Sequence, residues 1–301
     1  MQWFVVKNAM IWNPCFGLRI VILQCYFARK ISDMLDTMTL PKWIDDLIFD
    51  TLGAKYKPSF SDMTNIYDSR EETLNYLGTY FPRSYSEAYS IFSDYFGKYF
   101  PEWQNREEIS IFDFGCGTGG EIIGLLTVLS EKFTKLKKVR IVALDGNQNA
   151  LLKYEQIMGI MQENIQFQCQ IENHPAAIYI DDFYDLNILN EVMNEQFDII
   201  MSFKAICEFV TEQQFEQKNP YEHIAKFLLP KLGEDGILLL EDVTTYNHTS
   251  QEWLPKMMDK GLEVANCKIV MQNEGYNQTY TITHSHKSND KSKVAWRMIK
   301  R

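Results

Sequence analysis

The sequence runs to 301 residues with a formal net charge of −10, and 46 % of it is hydrophobic and 14 % aromatic. That much apolar material excludes a disordered or fibrous chain. The acidic balance disfavours tight general binding to nucleic acid, which needs a basic face. The length suits one large domain, or a core with a helical extension.

Residues 1 to 32 contain no Asp or Glu, carry Lys7, Arg19, Arg29 and Lys30, and include the apolar run Phe16 to Phe27. The run is too short to span a bilayer, and no membrane association is expected. Two readings stay open for residues 1–33. They are a mitochondrial presequence, or a leader ahead of a functional start at Met34 or Met38 with a cytoplasmic location. Six scattered cysteines without a Cys-x-x-Cys pair fit a reducing compartment and support neither a zinc ribbon nor a redox motif. The five histidines show no familiar ligand spacing, so no metal is expected.

Residues 34–105 read as a helical N-terminal extension. Pro41 to Ile48 starts one amphipathic element. Ser84 with Glu87 forms a capping box that opens another. Ala88, Ile91, Phe92, Tyr95, Phe96 and Tyr99 then recur along one helical face until Pro101 stops it.

From residue 106 to 301 the pattern changes. Apolar runs at Ile109–Phe112, Val139–Leu144, Ile165–Cys169, Phe197–Met201 and Ile237–Leu240 alternate with helical stretches such as Glu121 to Phe133 and Ala150 to Met161. Short buried strands alternating with helices predict a parallel sheet covered on both faces. Thr279–His284 and Lys293–Ile299 lie too close in sequence for a crossover helix, so they are expected to pair antiparallel. The sum is a doubly wound, mostly parallel, seven-stranded α/β sheet with a reversed strand at one edge. From Ser285 to Arg301 there are six Lys or Arg against the single acid Asp290, read as a solvated tail or a lysine-guarded edge strand.

The chemistry concentrates in Asp113-Phe114-Gly115-Cys116-Gly117-Thr118-Gly119, placed after the first strand and before a helix. Glycines there allow a sharp turn and close approach to the backbone, and the N–H groups that open the helix favour an anionic group. Asp145 closes the second strand, where a carboxylate accepts ribose hydroxyls or caps the following helix.

The loop, Asp145 and the strand-helix order resemble the class I S-adenosylmethionine (SAM)-dependent methyltransferases. The resemblance implies that Asp113, Gly115, Gly117 and Gly119 hold the methionine part of SAM and that Asp145 holds the ribose. It further implies that Asp182, with Phe183 as a ring neighbour, meets the adenine, and that the end of the fourth strand, at Ser202, faces the methyl group. No Asn/Asp-Pro-Pro-Tyr/Phe motif stands there, and Cys207 lacks the preceding Pro or Thr of cytosine-C5 enzymes. Glu208 and Glu241 are candidate general bases, although direct transfer from an electrophilic donor needs little beyond orientation. Arg83 and Tyr85 are candidate lid residues.

The helical lead-in from Leu40 to Phe100, with Phe81 to Tyr89 ahead of the glycine loop, also resembles the methyltransferase-like family associated with small-ribosomal-subunit assembly. That likeness implies an rRNA or ribosomal partner, and a SAM-binding assembly factor without turnover is a rival to the enzyme. A nicotinamide-dependent oxidoreductase is a second rival. In its fingerprint the third glycine comes three positions after the second, where in this chain Gly119 comes two positions after Gly117.

Overall fold

The computed structural model describes residues 38–58, 69–165 and 167–301, apart from the side chains of residues 212, 213 and 216. The expectation for residues 1–33 falls outside them. Met38–Arg301 forms one compact unit, in which the helical segment and the sheet share a core.

The chain enters through β1 (Met38–Thr39) and a short helix α1 (Lys42–Asp45), which continues as a wider turn over Asp46–Thr51. Helix α2 (Arg70–Trp103) follows. Then come β2 (Glu108–Phe114), α3 (Gly120–Lys132), β3 (Lys138–Asp145), α4 (Gln148–Asn164) and β4 (Gln170–Ala177). The second half holds β5 (Phe197–Phe203), α5 (Ile206–Phe209), α6 (Glu212–Gln217), α7 (Pro220–Leu228) and β6 (Leu232–Val243). A small hairpin of β7 (Tyr246–Asn247) and β8 (Glu252–Trp253) leads into α8 (Leu254–Val264). The chain closes with β9 (Lys268–Gln272), β10 (Gln278–His284) and β11 (Lys287–Lys300).

The main sheet has nine strands rather than seven, in the order β1-β10-β11-β6-β5-β2-β3-β4, with β9 paired to β11. The block β6-β5-β2-β3-β4 is parallel throughout. The reversed strand is β11, one place in from the expected edge, antiparallel to both β6 and β10. Two short strands sequence patterning passes over, β1 and β9, extend the sheet around it.

Period-two alternation sends successive side chains to opposite faces. Ile109, Ile111, Ile141, Ile199, Ile237 and Leu239 pack under α2, α3 and α4. Phe112, Phe114, Val142, Ile200, Leu238 and Leu240 pack under α7 and α8. Both faces are covered, as near-continuous apolar runs require.

Two expectations are corrected. The third parallel strand is Gln170–Ala177 and not Ile165–Cys169, although it contains His174 and Pro175. Proline lacks a backbone donor and survives in a sheet at an edge, and β4 is the edge strand, with Pro175 opposite Ala143. The second correction is that Ser84 and Glu87 do not open a helix. The cap is Ser69, whose side chain accepts the Glu72 N–H, and the helix runs on through Pro82 and Pro101. Pro101 does leave a mark, since the backbone kinks at Tyr99 before a last turn to Trp103. Tertiary packing sustains this length: the carbonyl oxygens of Phe81 and Tyr85 lie 2.4 and 2.6 Å from where side chains at Gly120 and Gly124 would begin, so α2 seats directly on the α3 backbone. Among the described residues, no helix is long and apolar enough to cross a membrane.

Candidate functional site

The order of the parallel strands reverses between β2 and β5, since the chain after β2 first builds outward through β3 and β4 and then returns to β5 and β6. At such a switch point the loops diverge and leave a crevice beyond the carboxyl ends of the strands, the usual ligand site of open α/β sheets. The glycine loop, Asp145 and the end of β5 all meet here.

Gly115, Gly117 and Gly119 adopt φ of +81°, +50° and +81°, the left-handed region in which a side chain is strained. Their neighbours add a second requirement. A Cβ on Gly119 would lie 2.3 Å from the Tyr154 ring, and one on Gly115 would lie 2.3 Å from the Ala205 Cβ. One on Gly117 would lie 2.9 Å from the Tyr76 hydroxyl. On these sides the missing Cβ serves the protein's own close packing, a demand the motif alone does not reveal.

Asp113 ends β2 on the α2 face of the sheet and is fully buried, and neither carboxylate oxygen has a hydrogen-bond partner. Burial, then the carboxyls of Glu121 and Asp145 nearby, raises its pKa well above the ordinary range. Asp145 is 7 % exposed. Its Oδ2 accepts the Gly117 N–H at 2.7 Å and its Oδ1 the Asn147 N–H at 2.7 Å. Burial raises its pKa also, against the pull of those two donors. Asp145 thus ties the glycine loop to the neighbouring strand, while the cap of α4 is Asn147, whose side chain accepts the Ala150 N–H. Glu121, in the first turn of α3, is 4 % exposed, and burial lifts its pKa to about 8 although Lys204 and the local backbone pull the other way.

Sequence reasoning missed Lys204 and the role of Glu87, which form a second group with the candidate Glu241. Lys204 follows β5 with φ +55° and reaches back under α2 to a buried ion pair with Glu87. Glu241 Oε1 lies 3.8 Å from the same ammonium. Burial works against the Lys204 charge, but Glu87 and Glu241 outweigh it and hold its pKa above the usual value. Glu241 is fully buried, and burial followed by Glu87 raises its pKa well above the ordinary range. A lysine straight after a strand at the switch point is the signal that sequence offered for this cluster. For Glu121 the signal is its place immediately after Gly120.

The other candidates are placed as follows. Glu241 continues the row of Ile237 and Leu239 on the Asp113 side, whereas Ser202 continues that of Ile200 on the opposite face. Ser202 Oγ is buried without a partner. Glu208 is exposed on α5. Asp182 is exposed, and its Oδ1 accepts the Tyr184 N–H and the Gln214 side-chain amide, forming a turn. Phe183 is taken up by the core, edge-on to Phe114 at 6.5 Å. Arg83 is bound in bidentate fashion by Asp290, at 2.8 Å on each oxygen, with Tyr56 donating to the same carboxylate. Tyr85 is buried where α2 meets α3. Neither lid candidate extends over the crevice.

The chain is therefore an open, doubly wound α/β protein with a cluster of buried acids, Asp113, Glu121 and Asp145, at its switch point. No family model matches the chain, and no curated protein matches it. Among solved structures it is similar to a precorrin-6y C5,15-methyltransferase from Geobacter metallireducens, at 13 % identity and TM-score 0.40, over 71 % of this chain and 88 % of that one. It is also similar to a SAM-dependent methyltransferase from Thiobacillus denitrificans in complex with S-adenosyl-L-homocysteine, at 12 % identity and TM-score 0.38, over 78 % and 75 %. A third is a glycopeptide N-methyltransferase complexed with sinefungin, at 10 % identity and TM-score 0.42, over 72 % and 94 %.

Proposed function

We propose that this protein is a SAM-dependent methyltransferase that moves a methyl group directly to its acceptor. One observation carries the reading: Asp113, fully buried with both oxygens unpartnered, stands beside a glycine loop and a second acid on the next strand. A buried carboxylate with no partner is costly unless a cationic group completes it or a proton neutralises it. The methionyl ammonium of SAM is such a group, and the N–H groups at the start of α3 suit its carboxylate. Asp145, at the end of the neighbouring strand, fits the ribose hydroxyls, with lone pairs left beyond its two backbone bonds. When bound, SAM supplies an electrophilic methyl group. The chain's part is to bind, orient and keep water out, and buried Cys116 and Thr118 help close the loop.

Calorimetry with S-adenosylhomocysteine and NAD in parallel tests the cofactor. S-adenosylhomocysteine is expected to bind and to lose affinity in Asp113→Ala, and binding of NAD alone overturns the reading. Labelled SAM with cell extract then separates the enzyme from a non-catalytic SAM-binding factor, because only the enzyme transfers label that Asp113→Ala abolishes. The rRNA-directed alternative rested on the helical lead-in from Leu40 to Phe100 and, within it, on Phe81 to Tyr89. That segment is interior helix, with Phe81, Tyr85 and Ala88 buried and Arg83 tied to Asp290.

A further inference from the structure

The last hairpin outreaches the sheet it belongs to. Val243, the final residue of β6, lies opposite Val294, and Val294 lies opposite Gln278. The stretch from Thr279 to Lys293 therefore projects past the carboxyl ends of β2, β5 and β6, by about 20 Å at a strand's rise per residue. This is the end of the sheet where the glycine loop and Asp145 lie. One face of the arm packs under α2, through Tyr280, Ile282 and the Arg83–Asp290 ion pair. The other face carries Lys291 opposite Thr281 and Lys293 opposite Thr279, with Lys287 at the turn. All three lysines are exposed, and among the described residues none is in an ion pair.

An aromatic cluster stands at the root of the arm. The β7–β8 hairpin after β6 supplies Tyr246 and Trp253, with ring centroids 5.2 Å apart. Tyr276, just ahead of β10, meets Trp253 edge-on at 5.8 Å. Tyr246, Trp253 and Tyr276 are 37, 43 and 41 % exposed, and among the described residues Tyr179 is the one other large aromatic so open to solvent. Exposed rings held edge to face offer surfaces on which planar groups stack. The acids at the margins are engaged: Asp290 by Arg83, Glu252 by Lys260, and Asp45 by the Ser285 N–H and hydroxyl. Glu274, near Tyr276, is exposed and offsets one of the three lysine charges.

We propose that this arm and its aromatic root bind a single-stranded nucleic acid. Lys291 and Lys293 sit two residues apart on one face, about 7 Å along the strand, so their charges form a line. A line of charge suits a chain of phosphates better than a lone anion. An acidic peptide would match the charge and leave the rings without planar partners. A duplex keeps its bases stacked inside, whereas a single strand can splay them onto the rings. As guards against edge pairing alone, the lysines would leave the exposed rings unexplained. The proposal goes beyond the methyltransferase reading and does not depend on it.

Fluorescence anisotropy of the full chain with a labelled oligouridylate of about 12 nucleotides tests this. The strand is expected to bind, with log affinity falling against log salt at a slope of about −2, from three lysines at about 0.7 each. Lys291→Gln combined with Lys293→Gln should bring the slope to about −0.7. Trp253→Leu should weaken binding about tenfold with the slope unchanged. Trp253→Phe should keep most of the affinity, which separates loss of the ring from loss of the fold. At equal charge, polyglutamate should compete far more weakly than unlabelled strand, and the duplex with oligoadenylate should bind more weakly. The proposal is overturned if the oligouridylate does not bind at about 50 mM salt. It is equally overturned if polyglutamate competes as well as the strand, if the duplex binds as tightly, or if the lysine variant or Trp253→Leu behaves like the parent. S-adenosylhomocysteine affinity is expected to stay unchanged in all these variants, so failure here and failure of the cofactor reading are told apart.

Discussion

Glu121→Gln is a sharp probe of the buried acids because it changes charge and almost nothing else. Glu121 is 4 % exposed, and its carboxyl is lifted from 4.5 to about 8 by burial, with Glu87 and Asp145 adding to the rise. In the unfolded chain it ionises near its ordinary value, while in the folded protein it holds its proton until about pH 8. A group raised on folding is fully compatible with the native state below its unfolded pKa and withdraws stability as pH climbs towards its folded pKa. At 1.36 kcal/mol per pH unit, the loss across this window amounts to about 4 kcal/mol. Urea unfolding of the unliganded protein at pH 4.5 and pH 8.5 measures it. Glu121→Gln should match the parent at the lower pH and exceed it by about 4 kcal/mol at the higher one, to within a factor of two. A variant no more stable than the parent at pH 8.5 would show that the carboxylate is already ionised and compensated, and the account of an acid pocket held neutral until a cation arrives would fail.

Gly119→Ala should cost about 3 kcal/mol in urea unfolding. Left-handed backbone accounts for roughly 1–2 kcal/mol of that, and contact with the buried Tyr154 ring, 2.3 Å from the new atom, for the rest. Arg83→Met should cost about 3 kcal/mol, since Asp290 is 3 % exposed and would lose its bidentate partner, leaving Tyr56 and the more distant His284 beside it. S-adenosylhomocysteine affinity should stay unchanged, which calorimetry checks. Burial pushes the Asp290 carboxyl up, but His284, Arg83 and Tyr56 outweigh it and hold it well below its ordinary range. The parent should therefore lose more stability than Arg83→Met as pH falls below about 4.

Much of the sheet could be read from apolar runs because its strands are buried on both faces. Ile109–Phe112, Val139–Leu144, Phe197–Met201 and Ile237–Leu240 all fall inside observed strands. β4 escaped because an edge strand is only half covered, so its composition carries His174 and Pro175 without penalty. The continuity of α2 through Pro82 escaped for a different reason. Contact with α3 sustains it, and contact across the sequence leaves no local signature. The same limit hid Glu87, which looked like a helix cap and is instead the partner of a lysine 117 residues away. The glycines and Asp145 were visible because local backbone geometry dictates their types, through left-handed φ and two backbone N–H groups, and Asp113 by its place between the strand and that loop. Tyr76, set over Gly117, was not, since a tyrosine on a helical face reads equally well as core.

The placement of β11 bears on how the molecule assembles. It separates β10 from β6, and β1 in turn pairs only with β10. Neither can join the growing sheet until a strand that follows both in the sequence has already docked. Closing that edge joins Met38 to Ile282, a loop of most of the chain. Ordering such distant segments takes a large loss of chain freedom before any contact repays it. The parallel block from β2 to β6 is therefore expected to form first, and the flank carrying β10 and β1 last, as the slow phase of refolding.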